Sequence, residues 1–371
     1  MPDVVVVGAG IAGLSAAAEL AEHCSVRVVE MEHTAAHHAT GRSAALYIPS
    51  YGPPTIRRLT KASRDWFDTR GQERSDTPLM SHRYVLYASD LEHTERLDAL
   101  VESMGDAGGH LEPLDAASTR ALCPALRSDW VVAGGLDAES HALDVAAIVG
   151  VYRRLLGQRG GQLYTDHRVT SIHRTRAGWS LTTSGGDVAC DVVVNAAGAW
   201  VDVVAGLAGL ETLGFEPRRR TLAVSRPAHG ADPGLAFVAH AAEEFYFGAE
   251  AGGVMFSPAD ATRSEPCDAK PEEIDIAYAM DRINDATDLA LRSVQSSWAG
   301  LRTFGPDGSI VIGPDPAEPT FVWCGGQGGY GIHTCPAASQ ATAALTLGQP
   351  LPAELTHAGL TPESLGPARL K

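Results

Sequence analysis

The sequence predicts an α/β fold in which a nucleotide-binding domain on a parallel sheet is interleaved with a second, sheet-rich α+β domain. Three observations carry this reading. The chain opens on an apolar strand, a glycine-rich turn and an alanine-rich helix. Two more apolar strands, one in the middle and one near the end, also run into glycine-rich turns. The stretches between them mix short strands with polar helices and lack that pattern.

Val4–Val7 is a continuous β-branched run, as in a strand buried on both faces. It leads into Gly8-Ala9-Gly10-Ile11-Ala12-Gly13 and a helical stretch to about Glu22. Ser25–Glu30 is the next strand, followed by Met31, and Glu30 lies 17 residues after Gly13. A G-x-G-x-x-G run between strand and helix, with an acid ending the next strand, is a dinucleotide fingerprint in its proper context. Gly8 allows the tight turn, Gly10 lets the backbone approach a pyrophosphate, and Gly13 lets helix and strand pack closely. The first-turn N–H groups, at Ile11 and Ala12, face the phosphates, and Glu30 accepts from ribose hydroxyls.

Further along, Val145–Gln158 reads as a helix, and Leu163–Ile172 with Trp179–Thr183 as a strand pair. Asp191–Asn195 is a strand that enters Ala196-Ala197-Gly198-Ala199-Trp200. Phe321–Cys324 enters Gly325-Gly326-Gln327-Gly328-Gly329-Tyr330-Gly331, with a helix from about Thr334. Pro336 would sit early in that helix, where a proline loses no helical hydrogen bond. In the intervening regions Tyr84–Tyr87 is a strand, and Glu244–Phe247 with Gly253–Phe256 a hairpin. Pro227–Pro233 and Pro350–Pro352 read as loops. The expected division is 1–79, 138–211 and 295–371 for the nucleotide-binding domain, and 80–137 and 212–294 for the second domain.

Composition excludes several classes. The formal net charge is −16, which repels phosphate backbones and argues against nucleic-acid partners. Six scattered cysteines, with no C-x-x-C, read as reduced thiols and a cytoplasmic location. No secretory leader and no apolar run long enough to span a membrane is expected. The 14 histidines show no metal-binding spacing, so no metal is expected.

With these junctions in place, the sequence resembles the FAD-dependent D-amino-acid oxidase and glycine oxidase superfamily, and within it the bacterial D-arginine-type dehydrogenases. The resemblance rests on the first glycine turn, Thr40-Gly41-Arg42-Ser43-Ala44-Ala45, Asn195–Trp200, Trp298-Ala299-Gly300-Leu301-Arg302 and Gln327–Ile332. It implies a Rossmann-like FAD-binding domain of glutathione-reductase type, non-covalent FAD, and oxidation of a carbon–nitrogen bond beside a carboxylate. Thr40, Arg42, Ser43 and Ala44 would meet the pyrophosphate and flavin edge, and Val169 the adenine through its main chain. Ala197, Gly198 and Trp200 complete the middle junction. Gly328, Gly329, Tyr330, Gly331 and Ile332 bring a helix N-terminus to the flavin pyrimidine, where it would stabilise charge arriving on reduction.

For the substrate, a guanidinium at the end of an apolar element suits bidentate carboxylate capture, and the family position falls on Arg302. Arg220, from the run Arg218-Arg219-Arg220, is the second match. Tyr51 and Tyr246 match two tyrosines that close over the carboxylate, and Tyr246 should face opposite Phe245 and Phe247 on its strand. Gly329 borders the pocket. The chain departs from D-arginine dehydrogenases at Leu46, Ile48 and Val85, where their histidine, polar residue and carboxylate stand. An apolar substituent is therefore expected over D-arginine. N-alkylglycine oxidation, 2-hydroxy-acid oxidation and a flavin-binding module without turnover stay open, as does oxygen or a quinone as electron acceptor.

Overall fold

The computed structural model describes residues 2–72, 78–105, 109–227, 232, 235–250 and 252–370. Its first layer is a six-stranded sheet in the order Val311–Pro314, Phe321–Gly325, Val192–Asn195, Asp3–Val7, Ser25–Val29, Gln162–Tyr164. All neighbours pair in parallel except the first two strands. Helices Ile11–Leu20, Val145–Gln158 and Gly331–Thr346 cover one face through Leu14, Ile148, Tyr152 and Cys335. The other face is covered by a three-stranded antiparallel sheet within 169–190, where Trp179 and Leu181 pack against Phe321 and Trp323. Apolar contacts on both faces explain the valine runs Val4–Val7 and Val192–Val194 in this sheet.

The second layer is an eight-stranded sheet. Its order is Val294–Phe304, Glu216–Ser225, Gly253–Ser257, Tyr246–Glu250, Phe237–His240, Val85–Ser89, Ala133–Asp137, Glu112–Asp115. Strand alternation sorts its side chains cleanly. Leu86, Ala88, Ala223, Phe245, Phe247, Val254 and Phe256 face helix Glu273–Ala286. Val85, Tyr87, Leu222, Tyr246 and Met255 face the other way, with Leu46 and Ile48 packed on them. Tyr246 thus opposes its two phenylalanine neighbours, as period-2 geometry requires. A small sheet of Leu46–Tyr47, His141–Leu143 and Met80–His82 lies beside the layers. The expected boundary at 295 falls within strand Val294–Phe304 of the large sheet.

Two local expectations are corrected. The segment expected as one strand over Leu163–Ile172 is split. Gln162–Tyr164 extends the main sheet, and Val169–Thr175 begins the antiparallel one. Between them Asp166 turns at φ 59°, and the N–H groups of Asp166 and His167 donate to the Glu32 and Glu30 carbonyls. The last helix begins at Gly331, not Thr334, so Pro336 sits inside it. Pro336 offers no N–H to the Ile332 carbonyl one turn back. The Val145–Gln158 helix, the hairpin beginning at Tyr246 and the Pro350–Pro352 loop are present as expected. The loop expected at Pro227–Pro233 lies largely outside the described residues.

Among the described residues no helix is long and apolar enough to cross a membrane. All six cysteines are unpaired, and only Cys267 is exposed.

Candidate active site

The three glycine junctions follow three adjacent parallel strands, so they meet at one edge of the sheet. A crevice beyond the carboxyl ends of such strands is where this architecture binds ligands. Gly8 turns at φ 99°, and a Cβ there would lie 2.6 Å from the Ala196 carbonyl oxygen. A Cβ on Gly13 would lie 1.9 Å from the Gly8 carbonyl oxygen, so helix and strand touch backbone to backbone. Only glycine fits either position.

A long cavity opens from these turns. One end is lined by Glu30, Met31, Val169 and, unforeseen from sequence, His167 and Arg168. Gly8, Gly10, Ile11 and Ala12 line its middle, facing Ala197, Gly198 and Trp200. Thr40, Arg42, Ser43 and Ala44 follow, and Gly328, Gly329, Gly331, Ile332 and Arg302 line the far end. Gly13 and Tyr330, both expected at the cofactor, are not on its wall: Gly13 is the helix–strand contact, and Tyr330 caps the last helix.

Several of these groups are already bonded. The Glu30 carboxylate accepts from the N–H groups of Ala9 at 2.6 Å and Glu32 at 2.9 Å. Each oxygen keeps a lone pair for a ribose hydroxyl. The Ile11 N–H donates to the Thr40 hydroxyl at 3.0 Å. The Arg42 guanidinium donates to the Ala269 and Ala299 carbonyls and pairs with Asp268 at 2.6 Å. It therefore clamps the loop to the large sheet. Backbone glycines, a helix N-terminus and a ribose-reaching carboxylate around one cavity form a donor set that fits FAD.

At the far end Arg302, on strand Val294–Phe304, donates to the Tyr51 hydroxyl at 3.2 Å. Its guanidinium lies so close to Gly329 that a Cβ there would sit 2.9 Å from Nη1. Tyr51 packs edge-on against Tyr330 at 5.0 Å. Arg220 donates to the Asp260 carbonyl at 2.7 Å and stands 5.9 Å from the Tyr246 ring centroid. The Tyr246 hydroxyl is buried with no hydrogen-bond partner. Among the described residues no carboxylate pairs with Arg302 or Arg220. Among the described residues the one carboxylate on the cavity wall is Glu30.

Tyr51 does not line this cavity, and neither do Leu46, Ile48, Val85 and Tyr246. These last four form one apolar cluster behind it, joined to the wall through Leu222 and Ala44. His333 stands beside them. Its Nδ1 accepts the Ile48 N–H at 3.3 Å, while its Nε2 is buried without a partner. Burial, aided by the nearby Arg302 cation, pushes its pKa down to about 3, so the ring is neutral.

The chain matches the family described as DAO, FAD dependent oxidoreductase, over residues 3–345. It is 26% identical over 402 residues to FAD-dependent oxidoreductase domain-containing protein 1 of Bos taurus, covering 93% of this chain and 81% of that protein. It is 25% identical over 226 residues to L-2-hydroxyglutarate dehydrogenase of Escherichia coli K12, covering 57% of this chain and 51% of that protein. Among solved structures, L-proline dehydrogenase from P. horikoshii superposes with a TM-score of 0.84 at 19% identity, covering 99% of this chain and 97% of that chain.

Proposed function

The chain belongs to the DAO family of FAD-dependent oxidoreductases, and from that premise we propose that it oxidises the carbon–nitrogen bond of an amino acid or N-substituted amino acid. One observation carries the proposal: two arginines on neighbouring strands, Arg220 and Arg302, line the cavity without carboxylate partners among the described residues. A buried cation left unpaired is costly, and a substrate carboxylate completes it.

Bound FAD supplies a two-electron acceptor for the hydride that leaves the carbon bearing nitrogen. Arg302 and Arg220 hold the substrate carboxylate, Tyr51 positions the Arg302 guanidinium through its hydroxyl, and the Tyr246 ring stands beside Arg220. Gly329 keeps the Arg302 guanidinium flat against the backbone. The apolar cluster of Leu46, Ile48 and Val85 reaches the cavity through Leu222 and Ala44, and these two favour an apolar group there. The lone pair of a neutral amine assists hydride loss, so orientation is the main task of these residues. The imine product then hydrolyses to a carbonyl compound and an amine or ammonia.

A second reading, an N-alkylglycine substrate, keeps the same carboxylate on the arginines and sets the N-alkyl group against Leu222 on the cavity wall. Anaerobic mixing of the purified protein with D-, L- and N-alkyl amino acids and with 2-hydroxyglutarate, followed by flavin bleaching, tests both. Bleaching by an amino acid bearing an apolar or N-alkyl group supports the proposal. Bleaching by the hydroxy acid alone overturns it.

A further inference from the structure

His240 ends strand Phe237–His240 and has only 1% of its side chain exposed, yet neither ring nitrogen has a hydrogen-bond partner. Buried polar atoms without partners are rare and need an explanation. Its Nε2 faces Asp90 Oδ2 at 3.7 Å, and its Nδ1 faces Glu244 Oε2 at 3.8 Å. Asp90 follows the adjacent parallel strand Val85–Ser89, and its other oxygen meets His93 Nδ1 at 2.8 Å. One ligand atom from each of Asp90, His93 and His240 lies within 4.8 Å of the others.

We propose that Asp90, His93 and His240 bind a divalent metal ion of borderline softness, zinc foremost. In a tetrahedral zinc site, bonds of roughly 2.0–2.2 Å place neighbouring ligand atoms about 3.3 Å apart. The separations of 2.8 Å to His93 and 3.7 Å to His240 lie on either side of that value but run to different oxygens of Asp90, so a turn of the carboxylate and rotation of the rings bring three ligand atoms, already within 4.8 Å of one another, onto one ion. Two imidazoles and one carboxylate form a set suited to zinc, with the fourth position left to water. Asp90 and His93 are 25% and 19% exposed, which gives the ion a path in.

The proposal also accounts for the second orphan nitrogen. With Nε2 on the metal, the proton of His240 resides on Nδ1 and points to Glu244. A carboxylate behind a metal-bound histidine fixes its tautomer and orientation. Arg282 in turn stands 3.7 Å from the same Glu244 oxygen. The sequence hides this set because His240 is 147 residues from His93 and no short motif links them. The ion would tie the ends of two central strands of the large sheet to the turn that leads into Tyr246. This makes it a fastener for the wall behind the substrate cavity, outside the chemistry itself.

The test uses the FAD-loaded protein, stripped with a chelator and then dialysed against low-micromolar zinc. The wild type is expected to retain one zinc per chain and to gain thermal stability. Asp90→Asn combined with His93→Ala is expected to lose both effects while keeping FAD. Both positions are partly exposed, so the variant tests the ligands without emptying the core. Glu244→Gln should weaken zinc about 10- to 100-fold. Zinc content equal in wild type and double variant, whether zero or one, overturns the proposal. So does an unchanged affinity in Glu244→Gln, for the placement of the Nδ1 proton.

Discussion

Replacing Arg302 by alanine separates a substrate-binding role from a structural one, because the structure predicts opposite effects on activity and stability. In the free protein Arg302 has one side-chain hydrogen bond, to Tyr51, and no carboxylate partner among the described residues. Losing that bond costs about 1 kcal/mol, and losing an unpaired charge offsets part of it. FAD content and the thermal midpoint should therefore stay close to those of wild type. With substrate bound, the same substitution leaves a buried carboxylate short of its cation, at a cost of about 2–5 kcal/mol. That is roughly a 30- to 5,000-fold loss in kcat/KM for flavin reduction under anaerobic stopped flow. A non-reacting carboxylate should raise the thermal midpoint of wild type and leave that of the variant unmoved. Activity within about threefold of wild type, a difference under about 1 kcal/mol, would refute the anchor assignment. A variant that loses FAD and melts early would instead mark Arg302 as structural.

The protein should be yellow and release free FAD on acid denaturation, whereas Gly13→Ala should fail to retain it, since its Cβ would enter the Gly8 carbonyl; absorbance of the supernatant after precipitation reads both. His333, with a folded pKa near 3 against about 6.5 unfolded, takes up a proton on unfolding between those values, so stability falls as pH drops through 6.5. His333→Gln should remove that loss, by about 3 kcal/mol between pH 7 and 4.5 in urea titrations; identical pH dependence in the two proteins would show that the ring titrates freely. Substrates with an apolar or N-alkyl group should exceed D-arginine by about 100-fold in kcat/KM, since four buried methylenes contribute about 3 kcal/mol before the cation's desolvation is counted. D-arginine as the best substrate would mean that an acid such as Glu243 reaches the cavity.

What the sequence discloses depends on how local the cause is. Gly8 and Gly13 were legible because their constraint is a backbone collision set within a few residues, and a strand, a turn and a helix surround them in order. The facing of Tyr246 was legible because alternation along a strand is geometric. The split of Leu163–Ile172 was not, since it depends on carbonyls of Glu30 and Glu32 more than 130 residues away. Arg42 was expected at the cofactor and lies on the cavity wall, yet its guanidinium is taken up by Asp268 and by carbonyls of residues 269 and 299. A motif fixes where a side chain starts, and tertiary partners decide where its charge ends.

The same reasoning bears on substrate choice. Leu46, Ile48 and Val85 are dispersed in sequence, but the large sheet gathers them with Leu222 and Tyr246 into one apolar cluster. Leu222 belongs both to that cluster and to the cavity wall, and it is two residues from Arg220 on the same strand. The strand therefore delivers a cation and an apolar surface to one cavity wall. Such a junction discriminates by asymmetry: an apolar substituent loses only water on entering, while a guanidinium loses its hydration and meets two arginines. Leu222→Glu tests this directly by placing a carboxylate on the wall. It should lower turnover of apolar substrates and raise that of D-arginine, reversing their order. If the order is unchanged while FAD is retained, selectivity is set elsewhere in the cavity.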